Sequence, residues 1–410
     1  MSSNQLTRRK FLSNSGVLAS GILTTACSPA PSPDRYNQAD RDLLAQQRSS
    51  ERNTSGTGQY GRQQYPGYRG LARLPWFKLD NHGELVCWDE EIPRAIDMHS
   101  HLGISVLLSP DIDLHARTPR VHHLLDCDAV QPGCELDLDV YANSNFTEAK
   151  LGDLRIRTLV QGWWGSPLAK TQTIPNLLAE MDAMRVERAC ILPIKMGLPF
   201  GDNLTGKWRD AIKSSGTQDR LLAGLSIHPR DKSRLKQMRA HAAAGARVMK
   251  LHPTVQAFYP DDPDMMPVYE TAQALGLCVF FHGGRAGIEP ESRQRYAMPR
   301  HYEAVLAEFP RLQVILGHAG ARDADAMVRL ASRYDNAWLG IHGQSVTMLD
   351  AMIENTGSER LLFGSDWPFY HIGMSLAKVL LCTETGSKRF ARARILRENA
   401  LQLLSMLGQD

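Results

Sequence analysis

No run of about 18 apolar residues occurs anywhere in this 410-residue chain, so no helix is expected to cross a membrane. Net charge is nearly absent too. The formal balance is +3, and Arg8, Arg9 and Lys10, in an opening stretch free of acids, account for all of it. The remaining charges cancel, which argues against a nucleic-acid partner or a polybasic membrane patch. No internal repeat longer than a strand-plus-helix alternation is visible. At 43% hydrophobic and 22% charged, the composition is that of an ordinary globular protein.

What is present begins with an address. Thr7-Arg8-Arg9-Lys10-Phe11-Leu12 precedes a modest apolar stretch, Gly16 to Leu23, and then Ala26-Cys27. Paired arginines before such a core read as a twin-arginine export signal over 1–27. The Ala26-Cys27 junction resembles a lipoprotein processing site, with Cys27 as the lipidated residue and an ordinary cleaved signal as the alternative. The expected location is therefore periplasmic, with membrane attachment only through Cys27. Residues 28–70 are rich in Pro, Ser, Gln, Arg and Gly and read as a disordered tether. Cysteine is scarce, at seven. Cys190 and Cys278 lie in apolar runs and read as buried thiols. Cys127 and Cys134 bracket a polar loop in a chain bound for an oxidising compartment, where a disulfide is expected.

From residue 71 onward the chain reads as one domain. A short hairpin is expected at Trp76–Asp80 and Glu84–Trp88, around Asn81-His82-Gly83. Apolar runs then recur at Ala95–Leu102, Arg188–Ile194, Leu221–Pro229, Ala246–Pro253, Cys278–Gly283, Gln313–Gly320, Ala337–Gly343 and Leu361–Pro368. Amphipathic stretches separate them, as at Ile174–Glu187, where Leu177, Leu178, Met181 and Met184 recur at helical spacing. Eight strands, each followed by room for a helix, imply an α/β fold: a (β/α)₈ TIM barrel. The first interval is far longer than the others and implies an insertion at about 103–172 that would roof the barrel mouth. Within it, Trp163 and Trp164 are candidates for lining substrate, or for anchoring a loop. His115, His122 and His123 have no partner pattern and read as surface.

The first strand carries Asp97, His99 and His101 at alternate positions, hence on one face. Two imidazoles two residues apart can chelate one metal, though His-x-His alone is weak evidence. Lys250, His282, His318 and Asp366 strengthen it, since each closes an apolar strand-like run. Buried polar groups are costly without partners, and a shared cation is the simplest partner.

These residues resemble a known family. Asp97-Met98-His99-Ser100-His101, Ser226-Ile227-His228-Pro229, Lys250-Leu251-His252-Pro253, His282-Gly283-Gly284, Gly317-His318-Ala319-Gly320, Gly364-Ser365-Asp366-Trp367-Pro368 and Glu398-Asn399-Ala400 are similar to the amidohydrolase superfamily, in its amidohydrolase-related branch. That branch includes hydrolases and decarboxylases similar to aminocarboxymuconate semialdehyde decarboxylase. The resemblance spans about residues 90–407. It implies that His99, His101, His282 and Asp366 hold one divalent metal, zinc by preference. It also makes Asp366 and His318 catalytic, the first accepting a proton from water and the second orienting water or steadying an oxyanion. Lys250 bridges a second metal if carbamylated; otherwise it stays an ammonium. Arg285 is a candidate clamp for a substrate carboxylate or a solvated loop residue. His252 is a candidate substrate contact, and His228 and His342 end strands near the mouth. Asp97 is expected to orient a metal histidine or nearby backbone.

The expected function is a metal-dependent hydrolase of a small amide, lactone or ester. A metal-dependent decarboxylase of an aromatic or unsaturated acid is the rival, and a non-catalytic binding lipoprotein the reading from another class.

Overall fold

The computed structural model describes residues 35–128, 135–384 and 386–408. The signal at 1–27 with Cys27, and Cys134, lie outside the described residues. The chain divides into two compact units, Met1–Leu43 and Leu44–Asp410, and the site lies wholly in the larger.

All eight expected strands form, each shorter than its apolar run. They are β1 (Ala95–Ser100), β2 (Val186–Ile191), β3 (Leu221–Ala223), β4 (Val248–Leu251), β5 (Cys278–Phe281), β6 (Val314–Leu316), β7 (Ala337–Gly340) and β8 (Leu361–Leu362). Neighbours pair in parallel and in chain order, as strand–helix alternation demands. The expected continuous barrel ladder is not realised. The strands make a three-stranded sheet, β1–β2–β3, and a five-stranded sheet, β4 to β8. Single parallel bridges, Leu225–Met249 and Ser100–Trp367, span the two seams.

The second seam positions the site. Met98 N–H donates to Phe363 O at 2.9 Å, Asp366 N–H to His99 O at 2.7 Å, and His101 N–H to Trp367 O at 2.6 Å. Close approach needs Gly364, where an added Cβ would fall 2.8 Å from the Cβ of His99. Behind the site, Ile96, Cys190, Val248, Cys278, Phe280, Ile315, Trp338 and Leu362 form the core, joined by Leu403 and Leu404 of the C-terminal helix Asn399–Met406. Cys190 and Cys278 are buried free thiols, as expected.

The hairpin also forms, with Phe77–Leu79 antiparallel to Leu85–Cys87. The amphipathic stretch 174–187 yields helix Ile174–Ala183, and Leu177 and Met181 are fully buried.

The reading of 28–70 as a structureless tether is corrected over its described part. Gln38–Thr54 is a helix, Gln64–Pro66 a strand and Tyr68–Arg73 a 3₁₀ turn. Apolar residues are few there, but Leu44, Tyr65, Tyr68 and Leu71 are all buried, so sparse composition still docks the segment. Its strand pairs antiparallel with Glu135–Asp137, a partner some 70 residues away in sequence that composition cannot reveal.

Between β1 and β2 the chain makes a long excursion containing that strand, a 3₁₀ turn Ala142–Asn145 and helix Glu148–Trp164. It is fastened to the loops after β7 and β8. Ala142 N–H donates to Gly343 O at 2.9 Å, while Leu124 and Leu125 donate to Pro368 O and Phe369 O at 2.9 Å each. Cys127 is disulfide-bonded. Among the described residues no helix is long and apolar enough to cross a membrane.

Candidate metal centre

The strand-end residues converge. His99 lies in β1, His101 just beyond it, Lys250 in β4, and His282, His318, His342 and Asp366 just past β5, β6, β7 and β8. All seven are at least nine-tenths buried. Asp366 is the hub. Its Oδ1 lies 3.4 Å from His99 Nε2 and 3.2 Å from His101 Nε2, and its Oδ2 lies 3.5 Å from His342 Nε2. Lys250 Nζ stands 3.0 Å from His99 Nε2. Asp366 and His318 hold left-handed backbone, φ 60° and 53°, uncommon for residues other than glycine and frequent where a side chain is aimed at a site.

Asp97 does what was expected of it. Buried completely, it accepts from the backbone N–H of His99 at 2.9 Å and of Ser365 at 3.1 Å, and from the hydroxyls of Ser100 and Ser365. It thereby joins the β1 and β8 segments behind the ligands. Burial pushes its carboxyl up to about 6, against the pull of these bonds.

Hydrogen-bond roles show why the centre suits a cation. His101 Nδ1 is 2.6 Å from Leu192 O. A carbonyl only accepts, so Nδ1 carries the ring proton, and in the neutral ring Nε2 is a lone pair. That lone pair faces the Asp366 carboxylate oxygen at 3.2 Å. Two acceptors so close repel unless a positive charge, a proton or a metal ion, lies between them. Among the described residues His99 Nδ1 is buried without a hydrogen-bond partner, so this ring too is poorly served by the protein groups around it.

Electrostatics keep the imidazoles neutral. Burial, then Lys250, holds His99 well below the usual imidazole range. Burial lowers His282 to about 3 and His342 to about 4, and with the neighbouring histidines it holds His318 well below the usual range. Burial brings Lys250 down to about 7, opposed by Asp366. Asp366 stays below the ordinary carboxylate range: burial pulls upward, and contacts with His101, His342 and Lys250 outweigh it. The result is one carboxylate held in its anionic form beside imidazoles whose charged form is disfavoured at His99, His282, His318 and His342, a set suited to zinc or a similar divalent ion.

Two donor groupings exist among the described residues, His99–His101–Asp366 and His318–His342–Asp366, each with ligand atoms within 4.8 Å of one another. His342, weighed from the sequence only as a strand-end histidine, joins the second. His282 falls in neither grouping. Its ring packs 4.5 Å from that of His318 and stacks on His252 at 3.9 Å. His252 also accepts from Val255 N–H and so caps the short helix Pro253–Gln256. His228 is set against Gly197 and falls in neither grouping.

Arg285 is engaged elsewhere. Arg285 is fully buried, and Asp323 engages its Nε at 2.9 Å and Nη2 at 2.6 Å. The reading of Arg285 as a rim clamp for a substrate carboxylate is therefore corrected: its charge already has a partner. Trp163 and Trp164 close helix Glu148–Trp164, and the Trp164 side chain is about half exposed, at 52%.

A second buried cluster escaped the sequence reading. Glu180, from helix Ile174–Ala183, accepts from His123 Nε2 at 3.0 Å, Trp367 Nε1 at 3.1 Å and Ile372 N–H at 2.8 Å. His371 Nε2 lies 3.8 Å away, its ring stacked on Tyr68 at 4.2 Å. His123, read as a surface residue, is 3% exposed. Its partner stands 57 positions on, on an amphipathic helix where a glutamate ordinarily faces solvent.

The comparisons bear on family and fold. The amidohydrolase family model matches residues 112–406, beginning after the β1 histidines. No curated protein matches the chain. Among solved structures, an uncharacterized TIM-barrel protein of Bordetella bronchiseptica is 23% identical, over 63% of this chain and 92% of that one, with a TM-score of 0.52. The 5-carboxyvanillate decarboxylase of Sphingomonas paucimobilis is 15% identical, over 76% of this chain and 99% of that one, at 0.50. The 5-carboxyvanillate decarboxylase of Novosphingobium aromaticivorans, complexed with manganese and a nitrobenzoic acid, is 13% identical, over 77% of this chain and 97% of that one, at 0.50. At these identities the likeness bears on the fold, which is of the TIM-barrel type. With the family model covering well over half of its length, the chain belongs to the amidohydrolase family.

Proposed function

We propose that this protein is a metal-dependent hydrolase of a small amide, lactone or ester. The observation that carries the proposal is the Asp366 carboxylate, whose two oxygens face three buried imidazole Nε2 atoms at 3.2–3.5 Å, in groupings that could hold a metal ion. His99, His101 and Asp366 would hold one divalent ion, with His282 offered from the end of β5. A divalent ion bound there lowers the pKa of water and polarises a carbonyl or carboxyl group.

The rest of the chemistry falls to the chain. Asp366, ionised at neutral pH, accepts a proton at a carboxylate oxygen. His318, neutral and held at the rim, donates a hydrogen bond to an oxygen that gains negative charge. Lys250 supplies a positive charge that is sensitive to pH near neutrality, and Asp97 keeps the β1 and β8 ends from separating. Burial of the whole group excludes bulk water, which strengthens each of these interactions.

Non-oxidative decarboxylation of an aromatic or unsaturated acid stands beside hydrolysis with equal weight. It calls on the same ligands, and two similar structures are described as 5-carboxyvanillate decarboxylases. Assay of metal-loaded protein for carbon dioxide release and for hydrolysis, over a panel of acids, lactones and amides, separates the two. Absence of both, with metal bound, leaves a binding lipoprotein. Zinc suits the donors, and manganese is the competing ion to assay. Two metal equivalents per chain, with Lys250 heavier by one carbon dioxide, would replace the single-ion reading with a bridged pair. Export and lipidation at Cys27 complete the proposal; fatty-acid labelling lost in Cys27→Ser tests them.

A further inference from the structure

We propose that Tyr141, carried to the barrel mouth by the excursion between β1 and β2, is a positioning residue for His318. Its Oη lies 3.2 Å from His318 Nδ1. This inference rests on the reading of His318 as a working group of the metal centre.

His318 needs external support because its local backbone supplies little. The turn Gly317–Gly320 holds left-handed geometry at His318 (φ 53°, ψ 15°) and Ala319 (φ 44°, ψ 34°), which is disfavoured for an L-residue. Gln344 Nε2 restrains the main chain, donating to His318 O at 2.5 Å and Ala321 O at 2.8 Å. That leaves the ring, and Tyr141 holds it. With Nδ1 engaged by the phenol, the nitrogen left for the centre is Nε2.

The phenol is itself firmly placed, beyond what packing an ordinary loop requires. Its ring lies over Gly343, where an added Cβ would sit 2.7 Å from Tyr141 Cε2, and Gly343 has φ +84°. The Arg322 guanidinium stands 5.2 Å from the ring centroid and pairs with Glu51 at 3.3 Å. Glu51 also accepts from Tyr141 N–H and from Ser144 Oγ. The buried ammonium of Lys378 donates to Val140 O at 3.3 Å and Gly343 O at 3.4 Å, clamping the residue before Tyr141 to the loop after β7. Tyr141 is 5% exposed.

A neutral phenol both donates and accepts. When His318 carries its proton on Nδ1, it donates to the phenol oxygen and Nε2 is a base. When the phenol donates to Nδ1, Nε2 carries the proton and is an acid. Tyr141 thus holds the ring in one orientation in either neutral tautomer. Burial holds the phenol well above its usual range, so it remains protonated at working pH.

Tyr141→Phe keeps the ring against Gly343 and Arg322 and removes only the hydroxyl. The expected result is a fall in kcat of about 10- to 100-fold, the usual cost of losing such a supporting hydrogen bond, with KM and metal content unchanged. In zinc-loaded protein labelled with ¹⁵N-histidine, the ring signals assigned to His318 (by their loss in His318→Gln) should shift in the variant. Unchanged ring signals overturn the proposal, whatever the protein's activity. So does a variant that loses thermal stability while kcat stays intact. If the wild type turns over no substrate, the reading of the reaction fails, and the ring spectrum still decides the role of Tyr141.

Discussion

Two carboxylates in this protein are each ringed by histidines, and only one of them looks finished. Glu180 sits among His123, His371 and Tyr68, and its oxygens receive N–H donors from His123, Trp367 and Ile372. Burial would raise its pKa, yet His371, His123 and these bonds hold it down at about 2. Asp366 sits among the Nε2 atoms of His99, His101 and His342 at 3.2–3.5 Å, in groupings whose ligand atoms lie within 4.8 Å of one another. Similar residues thus give a carboxylate bonded to N–H donors in one place and a convergent set of ligand atoms in the other. The difference lies in geometry rather than in residue type, and it directs the search for chemistry to Asp366.

The sharpest way to break this contrast is Asp366→Asn. Loss of the acceptor should lower kcat by roughly 1,000-fold, within the range assigned to general acid–base groups, while KM stays within about threefold. Steady-state kinetics on whichever substrate the panel identifies reads this directly, and retained turnover would end the assignment. Glu180→Ala should behave in the opposite manner. Removing the carboxylate leaves buried donors unpaired and should cost about 3–5 kcal/mol in a denaturant titration, while the folded fraction still binds metal.

A third test uses acid. His371 is lowered by burial from 6.5 to about 4, so between those values the unfolded chain binds a proton that the folded chain refuses. Glu180 is lowered from 4.5 to about 2, with the same sign. Stability contributed by His371 is therefore present above about pH 6.5 and lost as pH falls toward 4, and that from Glu180 is lost from about 4.5 toward 2. Unfolding free energy of metal-free protein should decline through this window, by up to about 1.4 kcal/mol per pH unit for each group while it titrates. A flat profile between pH 6 and 4 would contradict the buried neutral state of His371. The smallest expected effect is that of Arg285→Lys. A lysine cannot reproduce the two-pronged contact with Asp323, so a loss of about 1–3 kcal/mol in stability is expected with KM unaltered. A large rise in KM would restore Arg285 to the substrate.

How much of this was legible in the sequence follows from range. His99, His101, Lys250, His282, His318 and Asp366 each end an apolar run, a local pattern that betrays a strand end without knowledge of its neighbours. The fold class was readable for the same reason, since strand and helix periodicities are local. What failed was pairing between distant segments. Arg285 looked like a free rim cation because Asp323 arrives from the following loop. His123 looked exposed because Glu180 does not advertise itself on an amphipathic helix. The segment 35–70 looked unstructured because its strand partner, Glu135–Asp137, belongs to the excursion. Tyr141 bore no signal at all, being one tyrosine in a polar stretch.

The seam between β8 and β1 has a kinetic meaning. Asp366 donates its amide to the His99 carbonyl, so a main-chain bond rather than side-chain packing sets the spacing between carboxylate and imidazole. Opening of this edge would scatter the donors together. The exchange rate of that single amide proton with solvent is then a clock for how often the protein dismantles its own coordination sphere.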